Sequence, residues 1–445
     1  MARRRKTKIQ KIVAKIDPHA AAVDVGATEI YAAVSTDLTP RPVYKFETFT
    51  DSLRSLVEWF VSLGIKSVAM EATSVYWIPL AELLEEAGID VHLVNPRYVQ
   101  NVSGRKSDMM DCQWLQYLHS IGLLQASFRP AAEVRALRAL WRHRDAQVRL
   151  NIVHIQHMQK AMDQMNLQIQ HVIADITGAT GTAIIEAILA GERDPQVLAK
   201  LRDPRIKATE ATLVAALTGH YRNEHLFCLK QAFAAYQFCL NQIAQLDAEI
   251  LRQVAVLCPA PVKPSVEAAP PKRSKARTPG PNSAHLLAAI CGVDLTSIPG
   301  INIMSAQTIV AETGGDLRAF ASPNKFCSWL SLCPNNKVTA GKILSSHPRP
   351  GNNRVARALR NAAQGLHHAK NELGDFYRRM RAKLGGAAAI VATAHKLARI
   401  VYAVLRSKKS YDPSLHLQDN PHARRKKFSR LQSLAKEFGF VLSPQ

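Results

Sequence analysis

The residues best suited to chemistry lie in one short stretch, Gly104–Leu115, which contains two aspartates three positions apart. In a helix, Asp108 and Asp111 would lie on one face, one turn apart. Three basic or hydroxyl side chains come directly before them: Arg105, Lys106 and Ser107. An acidic pair beside cations at a helix start suits a divalent metal that must meet a phosphate. The alternative is a solvated first turn whose acids interact with the helix dipole.

Two further carboxylates stand at the ends of predicted strands. Asp24 lies near the end of the apolar run Ala20–Gly26, and Glu71 ends the run Lys66–Glu71. An acid among small and apolar strand residues is costly to bury unless it binds something, and sites in α/β sheets form outside strand ends. The order strand, strand, helix for these acids indicates a ribonuclease-H-like fold. In that fold, carboxylates hold two Mg²⁺ ions that activate phosphoryl transfer.

The elements around these acids predict an α/β domain over residues 18–130. Three β-prone runs, Ala20–Gly26, Ile30–Val34 and Val43–Phe49, predict a meander of three strands. Apolar spacing and β-prone runs then predict a helix, a strand, a second helix and a short strand before the acidic stretch: Asp51–Leu63, Lys66–Glu71, Ile78–Ala87 and Val91–Val94.

The rest of the chain reads as mainly helical. Residues 131–257 predict long helices that form a coiled-coil-like arm, antiparallel within the chain or shared between two copies. Residues 258–283 form a Pro-rich basic linker. In the C-terminal domain, 284–406, the run Ile298–Ile301 precedes a helix and resembles a helix-hairpin-helix turn, whose backbone amides can bind a DNA phosphate. Val355–Leu373 predicts a single amphipathic helix.

The segment Pro334–Arg354 is poor in apolar residues and rich in hydroxyls, amides, cations and glycine. This composition indicates a loop, either one that handles phosphate or a plain polar surface loop.

Composition favours a polyanionic partner. The chain has 445 residues, 47% of them hydrophobic, and a net charge of +23, which points to nucleic acid, with a membrane surface as the alternative. Basic segments stand at both ends, residues 1–17 and 407–445. We find no secretory signal and no apolar run of about eighteen residues that could cross a bilayer. The seven scattered cysteines contain no CxxC pair, which indicates reduced thiols and gives no zinc signal.

Together, the short motifs resemble those of the DEDD insertion-sequence transposases of family one-ten, the bridge-RNA-guided recombinases. The matching segments are Val23–Gly26, Met70–Thr73, Asn95–Arg97, Gly104–Leu115 and Ile298–Ile301. The resemblance implies a RuvC-like N-terminal domain in which four acids form a Mg²⁺-binding tetrad: Asp24, Glu71, Asp108 and Asp111. It also implies that the enzyme joins donor and target DNA with an element-encoded noncoding RNA. It would work in the bacterial cytoplasm, at the nucleoid, as a dimer or tetramer with composite sites.

The family's C-terminal domain carries a serine nucleophile that attacks a DNA phosphate, usually within Ser-Gly-Gly-Lys. Here the matching residues are Thr339-Ala340-Gly341-Lys342, so the resemblance implies Thr339 as the nucleophile. Ser345 and Ser346 lie nearby and could serve instead, or this copy is degenerate. Three cations would contact phosphate there: Lys342, Arg349 and Arg354. Arg105 and Lys106 would contact nucleic acid beside the tetrad.

Two other functions fit the same residues. One is a RuvC-like nuclease that forms no covalent intermediate. The other is a non-catalytic nucleic-acid-binding protein in which the acids are structural.

Overall fold

The computed structural model describes residues 16–71, 74–94, 108–257, 283–413, 428–429, 431–435 and 437–440. For Asp108, Ser283 and Ile343 it describes only the backbone. Arg105, Lys106, the Pro-rich linker and most of the two basic ends lie outside the described residues. The chain forms two compact units, one that ends at Arg129 and one that begins at Pro130.

The first unit is built on a five-stranded mixed sheet. Its strands are β1 (Ala20–Val25), β2 (Glu29–Ala33), β3 (Val43–Glu47), β4 (Ser67–Glu71) and β5 (Asp90–Val94), in the spatial order β3-β2-β1-β4-β5. β1, β2 and β3 are antiparallel neighbours, whereas β1, β4 and β5 pair in parallel. Parallel pairing requires crossover connections, and α1 (Thr50–Ser62) and α2 (Trp77–Glu86) provide them. This topology confirms the predicted ribonuclease-H-like class.

Alternate strand residues pack against opposite layers of helix. On one face, Val23, Val68 and Met70 form a core with α1 and α2. The other face carries Ala22, Ala33 and Ala69 and is covered by α3 (Asp108–Ser120) through Cys112 and Leu115. Because these alanines are small, the helix can lie close to the sheet.

Two long helices form the arm in the second unit, α4 (Ala132–Gln164) and α9 (Asn223–Leu257). They are antiparallel, since Arg144 in the first half of α4 pairs with Asp247 in the second half of α9. At the other end, Met158 shares a core with Phe233. Four short helices between them complete that core: α5 (Ile169–Val172), α6 (Ala179–Ala190), α7 (Pro195–Ala199) and α8 (Glu210–Leu217). The predicted antiparallel arm is therefore present within one chain.

The C-terminal part is mainly helical, as predicted. Its elements are α10 (Ser283–Cys291), a 3₁₀ turn (Leu295–Ser297), α11 (Ile303–Thr313), α12 (Pro323–Trp329), β6 (Lys337–Thr339), β7 (Lys342–Ser345), α13 (Arg354–Gly365), a 3₁₀ turn (Leu366–His368), α14 (Glu372–Leu384) and α15 (Gly386–Ser407). By length and composition α15 could cross a membrane. More than half of its apolar stretch is buried, because it packs against α12, α13 and α14.

Two expectations for this part were wrong. The polar segment Pro334–Arg354 contains the β6–β7 hairpin and is not a plain loop. The single helix expected over Val355–Leu373 ends at Gly365, and α14 begins after Asn371, whose side chain accepts from the Gly374 amide. Arg378 donates to the carbonyls of His367 and Ala369, which stabilises the break.

A buried polar network at the N-terminal ends of β1 and β4 makes the first unit sensitive to acid. The Ser67 hydroxyl donates to Asp17 at 2.7 Å, so its oxygen accepts from Nε2 of His119 at 2.9 Å. Burial, together with nearby His92, lowers the pKa of His119 from 6.5 to about 4, although Asp17 and Asp90 act in the opposite direction.

We expect stability to fall as the pH drops from 6.5 towards 4, because only the unfolded chain binds this proton in that window. The full loss is on the order of 3 kcal/mol. Urea denaturation of the full chain at several pH values measures it, with His119→Gln as the comparison. If the free energy of unfolding of wild type falls no more steeply with decreasing pH than that of H119Q, the assignment of this acid sensitivity to His119 is contradicted.

Candidate active site

Asp24 and Glu71 stand side by side at the C-terminal ends of two parallel strands. The register places Ala22 opposite Ala69 and Val23 opposite Met70, and the two acids are the next residue on each strand. Because side chains alternate along a strand, both acids share the face of Ala22 and Ala69, which α3 covers. Both are partly exposed. The strand-end positions predicted from the sequence are therefore correct.

Helix α3 is fixed across β1 by two side-chain hydrogen bonds. Gln116 donates from Nε2 to the Ala20 carbonyl at 2.9 Å, and the Cys112 thiol donates to the Ala22 carbonyl at 3.4 Å. The helix thus runs antiparallel to the strand. Cys112 lies over Ala22. Asp108 lies one helical turn before Cys112, and Asp24 lies two strand residues after Ala22, which are similar distances along the two elements. The helix therefore begins level with Asp24.

The electrostatics of Cys112 show how close this contact is. Burial raises the pKa of the thiol well above its ordinary range, and the negative charge of Asp24 adds to that effect. The thiol is consequently a neutral hydrogen-bond donor, which also donates to the Tyr31 carbonyl at 3.1 Å. Its role is to hold the helix beside the acids.

Asp111 lies in the first turn of α3 and is exposed. The structure thus brings Asp24, Glu71 and the helix start that carries Asp108 and Asp111 to one edge of the sheet. Among the described side chains, no three His, Cys, Asp or Glu residues form a ready metal-binding group. The side chain of Asp108 lies outside the described residues, so the four-carboxylate set stays a prediction.

The candidate hydroxyl groups lie on the β6–β7 hairpin in the second unit. Thr339 pairs with Lys342, and the two-residue turn between them consists of Ala340 and Gly341, both with positive φ (48° and 76°). This is the turn geometry that matches the twist of a hairpin. Thr339 and Lys342 are exposed, and as directly opposite residues they share one face.

A β-bulge brings Ser345 onto that same face. Val338 pairs with Ile343, but Lys337 pairs with Ser345, so Leu344 is the extra residue. Ser345 is then a diagonal neighbour of Thr339, about 7–8 Å away. It is half-buried and accepts from the His347 amide at 3.4 Å, whereas Ser346 is exposed. Thr339 is at the tip of the hairpin and Ser345 at its base.

The three cations predicted near the hydroxyls occupy different places. Lys342 faces Thr339 across the hairpin. Arg349 lies at the hairpin base, where Nε donates to Oδ1 of Asn335 at 3.4 Å. Arg354 begins α13, outside the hairpin, and its Nη1 is 2.6 Å from Oδ2 of Asp145 on α4.

Sequence reasoning missed the buried ion-pair network behind Arg354. Glu312 on α11 is only 3% exposed and accepts from Arg138 at 2.6 Å and from Arg142 at 2.9 Å. Nε of Arg354 is 4.0 Å from the same carboxylate. Burial acts to raise the pKa of Glu312, but the guanidinium groups of Arg142 and Arg138 outweigh it and lower the pKa. The sequence did contain one signal for this network, because Glu312 is the charged residue of the otherwise uncharged helix α11.

Comparison with known families gives two matches. Residues 21–167 match a transposase family described as the DEDD transposases of IS110 type, and residues 293–378 match the transposase IS116/IS110/IS902 family. Together the matches cover just over half of the chain. The first match spans most of the ribonuclease-H-like unit, whose acids stand at strand ends, and assigns the chain to the class of DEDD transposases. Within that class, the chain belongs to the IS110 family.

One relative also matches in sequence. "Putative transposase y4pF/y4sB" of Sinorhizobium fredii (strain NBRC 101917 / NGR234) is 33% identical over 131 residues. The match covers 27% of this chain and 33% of that protein, so the chain spans about a third of the length of this relative.

The turn beside Thr339 holds an alanine in the left-handed conformation, which costs an L-residue roughly 1–2 kcal/mol. We expect Ala340→Gly to make the hairpin more stable, although the greater freedom of glycine in the unfolded state offsets part of the gain. Hydrogen exchange of the peptide that spans the hairpin should become slower. Gly341→Ala is the matched control and should make exchange faster, because it adds a second left-handed alanine. Faster exchange in A340G would contradict the turn assignment.

Proposed function

We propose that the protein is a DNA transposase that cuts and rejoins DNA strands to mobilise an insertion sequence. One observation carries the proposal: Asp24 and Glu71 adjoin at the ends of parallel strands, and Cys112 and Gln116 hold the start of α3 level with Asp24. Membership of the IS110 family supports the same conclusion.

We propose that four carboxylates bind divalent cations, Mg²⁺ by preference, as one ion or two: Asp24, Glu71, Asp108 and Asp111. The donor set fits such ions, because carboxylate oxygens are the protein ligands that Mg²⁺ prefers. A protein-bound Mg²⁺ ion also keeps several of its water ligands. The partial exposure of Asp24 and Glu71 and the exposure of Asp111 leave room for those waters. When bound, Mg²⁺ would make the phosphorus of a DNA phosphate a better electrophile.

Thr339 is the hydroxyl that we assign as nucleophile. Its oxygen would attack the phosphorus of a phosphodiester and form a new P–O bond. The bond from phosphorus to the leaving sugar oxygen breaks, that oxygen takes up a proton, and the threonine proton passes to solvent. The exposed tip position leaves Thr339 accessible, and Lys342 on the same face can stabilise charge on the phosphate oxygens. Reversal with another strand end would rejoin the DNA.

One feature of the hairpin supports a second candidate nucleophile, and one feature of the sequence supports a second candidate function. The bulge puts Ser345 on the face of Thr339, so Ser345 could be the nucleophile. A threonine stands where the family usually has serine, and its extra methyl group hinders attack. That substitution favours, as the runner-up, a RuvC-like nuclease that forms no covalent intermediate.

We further propose that an element-encoded RNA guides the enzyme, and that it works as a homo-oligomer on DNA in the bacterial cytoplasm. A net charge of +23 supports more than one nucleic-acid partner. RNase treatment of the purified complex tests the guide: loss of target choice is expected, and unchanged target choice would contradict it.

Trapping the covalent intermediate tests the chemistry. Labelled DNA from an end of the element is incubated with the protein and Mg²⁺, and SDS-resistant adducts are resolved on a denaturing gel. We expect an adduct with wild type and with Ser345→Ala. We expect no adduct with Thr339→Val, which keeps the shape of the side chain but removes the hydroxyl. Thr339→Ser should form at least as much adduct as wild type. Asp111→Asn should reduce the adduct at least a hundredfold, because metal-assisted phosphoryl transfer needs the full carboxylate set.

Each alternative has its own result in this assay. An adduct with T339V but not with S345A would move the nucleophile to Ser345. Cleaved DNA without any adduct would favour the nuclease. Full activity of D111N would contradict the role of the carboxylates.

A further inference from the structure

A pocket of about 270 Å³ lies in the second unit, where α4, the start of α11 and the start of α13 converge. Its lining is polar and cationic. Among the described lining residues, three arginines accompany one carboxylate: Arg149, Arg354, Arg357 and Asp145. The pocket therefore carries an excess of positive charge and can attract an anion.

Helices, not loops, carry these arginines. Arg354 and Arg357 lie in the first turns of α13, and Arg149 lies one turn beyond Asp145 on α4. Asp145 is shared, since its Oδ2 is 2.6 Å from Nη1 of Arg354 and 3.2 Å from Nη2 of Arg149. One carboxylate thus orients two guanidinium groups without neutralising both.

A network of ion pairs lies behind the pocket. Buried Glu312 binds Arg138 and Arg142 of α4 and reaches within 4.0 Å of Nε of Arg354. Arg357 is exposed and lines the pocket. Its guanidinium group is available to a ligand in the pocket.

We propose that this pocket binds a phosphodiester group of a nucleic-acid strand, an inference that rests on the proposed function for its ligand class. Guanidinium groups match phosphate oxygens with paired hydrogen bonds. In the helix-hairpin-helix-like turn, the Ser305 amide is already used, because it donates to Oδ1 of Asn302 at 2.9 Å. The arginines supply charged donors in the pocket, and the Asn361 amide and Thr308 hydroxyl lie beside them in the lining. The small volume suits one phosphate and its sugar.

Salt-dependent binding tests the pocket without any chemistry. Fluorescence anisotropy in EDTA follows fluorescein-labelled single-stranded DNA, duplex DNA and single-stranded RNA over a range of salt concentrations. For Arg357→Gln we expect weaker binding and a log K versus log salt slope smaller by about one, as for loss of one phosphate contact. The smaller slope should appear with at least one of the three probes. The probe that shows it identifies which kind of nucleic acid supplies the phosphate.

Arg205→Gln is the matched control, because it removes the same charge from an arginine that is exposed and paired with Asp203 outside the pocket. R205Q should leave the slope unchanged. An unchanged slope for R357Q with all three probes would overturn the pocket while leaving the proposed function intact, and so would an equal decrease in R205Q. If wild type binds none of the probes, the proposed function fails together with the pocket.

Discussion

The docking of α3 onto β1 is the contact on which the candidate active site depends. It requires alanine at positions 22, 33 and 69, since larger side chains on that face would hold the helix away from the sheet. It also requires Cys112 and Gln116 to donate to strand carbonyls. With the helix in that position, its first turn reaches the strand ends that carry Asp24 and Glu71. The acids need no special loop, because packing alone sets where they meet.

The second unit uses its few carboxylates to organise arginines. The chain has 58 lysine and arginine residues against 35 aspartate and glutamate residues, so its cations outnumber its acids by 23. Asp145 and Glu312 each contact more than one arginine. A carboxylate shared in this way fixes the guanidinium groups in place and leaves net positive charge at the surface. Such a surface suits a polyanion more than a neutral ligand.

The sequence predicted the first unit well because its signals are local. Asp24 interrupts an apolar run and Glu71 ends one, and the strand–helix order follows from short-range periodicity. The hairpin around Thr339 was missed because its strands have only three and four residues and its turn contains Ala340 in place of a typical Asn or Gly. The network around Glu312 joins residues about 170 positions apart in the chain, and no local pattern reports such a contact. The bulge that turns Ser345 towards the face of Thr339 is likewise a property of strand pairing.

Divalent cation binding by the full-length protein tests the central claim most directly. Mn²⁺, observed by electron paramagnetic resonance, can replace Mg²⁺ at oxygen ligands, and titration separates free from bound ion without any DNA. The account predicts that wild type binds Mn²⁺ and that Asp24→Asn weakens binding at least tenfold. Glu58→Gln should bind as wild type does, because Glu58 is an exposed acid on α1, which packs on the other face of the sheet. Equal Mn²⁺ binding by wild type and D24N would contradict the account.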